Sequence, residues 1–503
     1  SQRPCRNLDS NLCGESWVRR AFPGYGSTAD HALVEGVVGL VDGSGKTLLS
    51  LALLSWVRSQ GRSIQAFKVG PDYLDPQLLS AISQRPCRNL DSNLCGESWV
   101  RRAFHGYGST ADHALVEGVM GLFDGIGSSE TGSTAATARL LDLPVLLVVD
   151  AGGQAASLGA LVRGFRDHDP NLNLAGVVLN RVSSSRHREL LAEVLERLDV
   201  PLLGCLPRSE DLQLPSRHLG LAPAHELNGT AERRARWAEL AANHLDLPRL
   251  LPLMAAPTSG EDPLAECPSG GGTPMPVAVA ADAAFHFRYP ETGELLERMG
   301  MPLLPWSPLA DEPLPENARG LILPGGFPEQ HAAQLSSCRR SLDALRSFAR
   351  HRPVYAECGG MLLLGRSLSD LDGAVHAMAG SLPFHASRGQ LDVGYRTLTA
   401  TSDGLLVRRG ERLRGHAFHR WSLDRDPEGS ALWEIDGWRT QRRLEGWGDR
   451  TLHASWIHMH WASCSTICCR WRDALATGPM PSASASSAGR VRNASNPSSN
   501  AGA

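Results

Sequence analysis

The chain has 503 residues, 42% of them hydrophobic, a formal net charge of −3 and 11 cysteines. That length and apolar content suit two or three globular domains, and the near-neutral charge gives no reason to expect nucleic acid or an anionic membrane as a partner. No apolar run reaches the roughly eighteen residues of a membrane span, no basic-then-apolar leader is present, and the odd, scattered cysteines lack metal-ligand spacing, so a reducing, cytoplasmic setting is expected.

Residues 1–43 repeat residues 83–125 with changes only at Pro23/His105, Val38/Met120 and Val41/Phe123. Two near-identical copies with unrelated sequence between them are not a stacking repeat. Residues 1–42 read as a duplicated leader, a recent duplication or an assembly error, whose first thirty or so residues should pack poorly. Its strand Ala32–Val38 carries Glu35 in the middle, where burial without a partner costs several kcal/mol.

The leader runs into Gly39-Leu40-Val41-Asp42-Gly43-Ser44-Gly45-Lys46-Thr47, followed by the apolar helical pattern Leu48–Leu54. Amides of Gly43, Ser44 and Gly45 can wrap a phosphate chain, Lys46 can reach its outer phosphates, Thr47 can hold Mg2+, and the helix N-terminus adds its dipole. ATP is the expected ligand; the alternative is a glycine turn that only caps a helix. Next, the apolar strand from Ile64 breaks at Gly70-Pro71 into a loop bearing Asp72, Tyr73 and Asp75. These are candidates for positioning substrate or Mg2+ at the C-terminal edge of a parallel sheet, or else turn and N-cap residues. The strand Ala114–Glu117 ends in a second Mg2+ candidate, Glu117, with Asp124 seven residues on as a further positioning candidate.

Strands at Leu143–Asp150, Leu174–Arg181 and Val200–Arg208 alternate with helical patterns, giving a doubly wound parallel α/β sheet for residues 43–247. Asn180, at a strand end, is a candidate to read adenine or a plain strand-end cap. Residues 248–275, rich in proline and glycine, read as a linker.

In residues 276–470, Leu321-Ile322-Leu323 leads into Pro324-Gly325-Gly326-Phe327-Pro328-Glu329, where backbone amides of Gly325 and Gly326 can face an oxyanion. Val354–Glu357 then delivers Cys358 to a strand tip, with Gly359-Gly360 turning into an apolar helix. Such a turn presents the thiol as a nucleophile with Gly359 as another oxyanion donor, against the commoner role of a buried structural cysteine. Trp456-Ile457-His458-Met459-His460-Trp461 places two imidazoles on one strand face; His458 is the preferred base. Past Trp461 the pattern degrades, and 471–503 reads as a disordered tail.

The PGGFPE and ECGGM segments with a late histidine resemble the class I glutamine amidotransferase domain, which hydrolyses glutamine through a thioester and releases ammonia. That domain commonly has a glutamate two residues after its histidine; here the position is His460. The phosphate loop resembles that of dethiobiotin synthetase-like enzymes. VGPDYLDP, EGVMGLFDG and ECGGM in one chain, with Asp282–Phe285 and Arg414–His419, resemble the cobyrinic acid a,c-diamide synthase family from about residue 43 to 462. The resemblance implies two doubly wound parallel-sheet domains, P-loop NTPase-like then amidotransferase-like. It also implies amidation of the a and c acetates of a corrinoid with L-glutamine, ATP and Mg2+, a possible homodimer, and an ordinary final helix where the sequence degrades, which makes a frameshift a plausible account of the tail. Alternatives are cobyric acid synthase and the synthase acting on nickel-sirohydrochlorin. A reading of another class is a partner-binding P-loop ATPase with an inactive amidotransferase domain, against which Cys358 and a strand-borne histidine stand.

Overall fold

The structure, a computed structural model, describes residues 36–39, 44–208, 216–217, 220–221, 229–427, 429 and 431–477. Most of the duplicated leader with Glu35, the loop residue Gly43 and the tail from 478 onward lie outside the described residues.

The first half is a seven-stranded parallel sheet in the order Arg88–Leu90, Ile64–Val69, His113–Glu117, Gly36–Gly39, Val145–Asp150, Leu174–Val182 and Leu202–Pro207. Helices cover both faces, which is why Ile64–Val69 and His113–Glu117 are buried at every position. The leader's end, Gly36–Gly39, takes the central place between His113–Glu117 and Val145–Asp150. It feeds the helix Lys46–Ser59, whose Leu49, Leu51, Leu53 and Leu54 are buried in the core of this half.

The second half is a twelve-stranded sheet of two characters. Leu303–Trp306, Val277–Ala280, Gly320–Leu323, Val354–Glu357 and Leu452–Ser455 run parallel. Beyond Leu452–Ser455 the sheet continues antiparallel through Thr440–Gly448, Ala431–Gly437, His385–Ala400 and Arg412–Leu423. The fold is therefore α/β with parallel sheets, as expected, carrying an antiparallel extension that the sequence pattern did not announce.

Two boundaries move. Residues 248–275, read as a linker, are packed: Leu250, Met254, Leu264, Cys267 and Met275 are buried, and the amide of Gly270 donates to Arg298 O at 2.9 Å. The boundary placed at 471 falls inside the helix Ser465–Thr477. Ile467, Trp471 and Leu475 recur every fourth residue, so they form one apolar stripe and are buried, Trp471 and Leu475 lying where a Cβ on Gly320 would collide with them.

The halves are joined tightly. The Arg88 guanidinium makes two hydrogen bonds to Glu294, 3.0 and 2.6 Å, Tyr395 donates to Asp91 at 2.8 Å, and Arg414 donates to Asn93 O and Oδ1 at 2.9 and 2.8 Å. Between these polar contacts Tyr73, Leu74, Leu94, Phe287, Tyr289 and Phe327 form one apolar cluster drawn from both halves.

Candidate active site

Cys358 ends the strand Val354–Glu357 at φ 45°, ψ −110°, a conformation costly for a residue with a Cβ. It is over-determined by its neighbours: the Cys358 amide donates to Ser455 O at 2.7 Å, and Sγ lies 3.6 Å from Phe418 O. The glycines are dictated by close approach. A Cβ on Gly360 would lie 2.1 Å from Leu323 O, one on Gly326 2.1 Å from Ala284 O, and one on Gly359 3.1 Å from Gly326 N. Gly325 packs directly against the His458 ring, since a Cβ there would sit 2.5 Å from Cε1. Thus Cys358, Gly325, Gly326, Gly359 and His458 come together.

His458 is fully buried, with Nδ1 3.2 Å from Glu357 Oε2. Glu357 is itself fixed by the Met459 amide, 3.1 Å from Oε1, and by the Tyr355 hydroxyl. Burial opposes a charge on the imidazole, but Cys358 and Glu357 together overcome it and push His458 up to about 10. The thiol, the imidazole and the carboxylate lie in one place, the arrangement that a nucleophile, its base and an orienting acid require. His460 does not share the strand face of His458. The strand stops at His458; His460 caps the turn Trp461–Ser463, accepting from the Ser463 amide at 3.2 Å, and packs on Trp99 and Tyr289, where burial pushes it down to about 3.

At the C-terminal edge of the first sheet, Lys46 and Thr47 open their helix behind Gly45, which adopts φ 97°. A Cβ at Gly45 would lie 2.0 Å from Asn180 Nδ2, and that amide donates to Ser44 O at 2.9 Å. Asn180 therefore braces the phosphate loop. Lys46 Nζ donates to Met120 O at 3.2 Å. The Thr47 hydroxyl donates to Glu117 Oε1 at 3.1 Å, while Glu117 Oε2 is buried without a hydrogen-bond partner. A hydroxyl and a half-open carboxylate beside a phosphate loop are the hard oxygen donors that Mg2+ takes, so these residues fit the ion.

Matching models cover both halves: a CobQ/CobB/MinD/ParA nucleotide binding domain over residues 37–221 and a CobB/CobQ-like glutamine amidotransferase domain over residues 276–465. The chain is 41% identical over 435 residues to a cobyrinate a,c-diamide synthase of Synechocystis sp., covering 85% of this chain and 90% of that one. It is 42% identical to the protein of that name from Gloeobacter violaceus, covering 84% and 92%, and 40% identical to a hydrogenobyrinate a,c-diamide synthase of Streptomyces coelicolor, covering 84% and 93%. The chain belongs to the cobyrinate a,c-diamide synthase family.

Two residues of this family member escaped the sequence reading. Lys68 is fully buried with Nζ 2.7 Å from Asp75 Oδ2 and 2.9 Å from Glu117 Oε1. Despite burial, Asp75 and Glu117 raise its proton affinity; in turn Lys68 holds Asp75 below the carboxylate range, whereas burial pushes Glu117 up to about 7. A lysine inside the otherwise apolar strand Ile64–Val69 was the signal, since a buried ammonium requires acids beside it. Glu357 is the other, signalled by an acid inside a buried strand directly before the nucleophile.

The remaining candidates divide. Asp72 is both a turn residue, accepting from the Leu74 amide at 2.8 Å, and a neighbour of Lys68 at 3.9 Å; burial and Asp75 push it up to about 7. Asp124 is exposed and accepts from the Gly121 amide at 2.9 Å, so it closes a turn and is not brought to the Lys68 cluster. Tyr73, expected among positioning residues of the phosphate side, turns its ring the other way, stacking on Phe287 with centroids 5.1 Å apart and reaching His458 at 5.1 Å.

Proposed function

We propose that this family member is an ATP- and glutamine-dependent ligase of cobalamin biosynthesis that amidates the a and c acetates of a corrinoid, with Cys358 and the Lys46–Thr47–Glu117 cluster as its two reaction centres. The observation that carries this reading is the Cys358–His458–Glu357 constellation beside glycine amides, one domain away from a braced phosphate loop. The Cys358 thiolate attacks the glutamine carboxamide carbon, amides of Gly325, Gly326 and Gly359 receive the oxyanion, and His458 hands a proton to the departing nitrogen. Ammonia and a Cys358 thioester result, and water converts the thioester to glutamate.

At the other centre a corrinoid acetate oxygen attacks the γ-phosphorus of ATP and ADP departs. Ammonia then displaces phosphate from the acyl carbon, leaving an amide. Lys46, with the amides around Ser44 and Gly45, holds the phosphates, and Thr47 with Glu117 would hold Mg2+, which supplies charge neutralisation at the transferring phosphoryl group. Asp72 and Asp75, paired with Lys68, shape the acceptor side.

The test is incubation with ATP, glutamine and either cobyrinate or hydrogenobyrinate, the two rings in the relatives' names, followed by mass analysis for the diamide. Cys358→Ser should abolish glutamine-dependent product while ammonium-dependent product persists; loss of both in a folded variant overturns the division of labour. Among the described residues no helix is long and apolar enough to cross a membrane. We further infer a cytoplasmic setting, supported by the free thiols of Cys87, Cys205 and Cys358, and a homodimer, which rests on the family resemblance alone and is checked by light scattering.

A further inference from the structure

The strands Ala431–Gly437 and Thr440–Gly448 form a hairpin in which Gly437 pairs with Thr440, so the turn consists of Trp438 and Arg439. Two-residue hairpin turns ordinarily carry Asn, Asp or Gly, because a left-handed φ is costly for a residue with a branched or bulky side chain. Arg439 nevertheless sits at φ 52°, and Trp438 is 56% exposed. A single exposed apolar side chain is ordinary, but this one breaks the turn rule, and such local rules are broken mostly at functional sites. It is also held in place. The Trp438 ring meets Gly127 so closely that a Cβ on the glycine would lie 2.5 Å from Nε1. Gly127, at φ 65°, belongs to the loop that runs from Glu117 to the helix Thr134–Leu141. The same loop touches the phosphate side through Met120, whose carbonyl accepts from Lys46 Nζ at 3.2 Å and whose side chain is 40% exposed. The tip of the second half's hairpin thus stands at the rim of the proposed phosphoryl-transfer centre.

We infer that Trp438 and Arg439 form a platform for the corrinoid acceptor, the indole stacking on a face of the ring and the guanidinium pairing with a carboxylate on its rim. The inference rests on the two-centre reading above and names a binding surface for its acceptor. The Arg439 guanidinium lies over the indole, Cζ 4.6 Å from the ring centroid, and makes no ion pair among the described residues. With Arg439 on one face and Gly127 against the Nε1 edge, the open area of the indole includes its opposite face. A macrocycle edged with acetates is broad and apolar on its faces and anionic at its rim. It matches an open aromatic face with an uncommitted cation beside it. No covalent step occurs on this surface; it holds the ring while an acetate faces the phosphate loop.

The experiment measures steady-state amidation by full chains of wild type, Trp438→Ala, Trp438→Phe and Arg439→Gln, with cobyrinate, ATP and either glutamine or ammonium. Trp438→Ala should raise the cobyrinate KM at least about tenfold with either nitrogen source, and Trp438→Phe should recover most of that loss. Arg439→Gln should raise it about threefold, the scale of one exposed ion pair. The KM values for ATP and glutamine, the glutaminase rate and the thermal midpoint should hold in all three variants. A cobyrinate KM unchanged in Trp438→Ala overturns the inference. So does a rise in the ATP KM instead, which would put the nucleotide on the indole, or a changed oligomeric state in light scattering with the cobyrinate KM intact, which would put a second copy there. Equal losses in Trp438→Ala and Trp438→Phe with lowered thermal midpoints would make Trp438 a plain joint between the halves and overturn it too. If wild type makes no amide from glutamine or from ammonium, it is the two-centre reading that fails.

Discussion

Glu357 Oε2 lies 3.2 Å from His458 Nδ1, with both side chains buried, one residue before the nucleophile in sequence. The acid in contact with the proposed base thus comes from the proposed nucleophile's own strand, not from the position two residues after the histidine. His460, which stands there, faces Trp99 and Tyr289 instead.

Glu357→Gln keeps the shape of the side chain but removes the charge that helps hold His458 at about 10. Glutamine hydrolysis should fall by about 10²- to 10⁴-fold, the range found for general bases and their orienting acids. Because the imidazolium loses support, the alkaline limb of the pH–rate profile should move to lower pH. His460→Ala should leave that limb in place. Steady-state glutaminase assays from pH 6 to about 10 decide both; a limb that shifts only in the His460 variant would reverse the assignment.

Much of the site was legible because its chemistry imposes local sequence: a glycine pair beside a strand-borne cysteine, and Gly-Lys-Thr before an apolar helix. What escaped notice was long-range. Lys68 meets Glu117 forty-nine positions away, and Glu357 meets His458 a hundred and one away, so neither pairing leaves a periodicity to read. The turn role of Asp124 was hidden for the opposite reason: an acid near a strand end looks the same whether it binds a cation or an amide. The packed course of 248–275 was obscured by proline and glycine, which mark irregular backbone but say nothing of whether Leu264 or Met275 is buried.

The stripe Ile467, Trp471 and Leu475 makes the last described helix part of the second domain's core. Trp471→Ala removes a fully buried indole and should cost about 3–5 kcal/mol of stability. Urea denaturation followed by fluorescence would show it as a large drop in midpoint. A change below about 1 kcal/mol, the level of an ordinary surface substitution, would return this helix to the status of a tail.

His453 sits at 0% exposure with neither ring nitrogen hydrogen-bonded, stacked on Tyr355 with centroids 5.0 Å apart. Burial pushes it down to about 3 from an ordinary 6.5. A depressed histidine stabilises the fold above its unfolded value and withdraws that contribution as pH falls toward its folded value. His453→Phe should therefore flatten the loss of thermal stability between pH 6.5 and about 3. Thermal scans across that window test it: parallel curves for variant and wild type count against the assignment.

Lys68 is a buried cation shared by Asp75 and Glu117. Lys68→Met keeps length and apolar bulk but removes the ammonium from two buried carboxylates, which costs about 3–5 kcal/mol when one partner of a buried pair is lost. The deficit should depend on pH with a definite sign. Without the ammonium, burial raises the folded proton affinity of both acids above the unfolded value, so their contribution is present at low pH and lost as pH rises through neutrality. Glu117, already pushed up to about 7 with Lys68 in place, should lead this loss. Urea unfolding at pH 5 and pH 8 should show the smaller deficit at pH 5, and adding Glu117→Gln to Lys68→Met should restore part of the stability at pH 8. Amidation should be suppressed with glutamine and with ammonium alike, because the variant disturbs the acids beside the phosphate loop and not the supply of nitrogen. Equal deficits at both pH values would mean that Lys68 acts by packing alone.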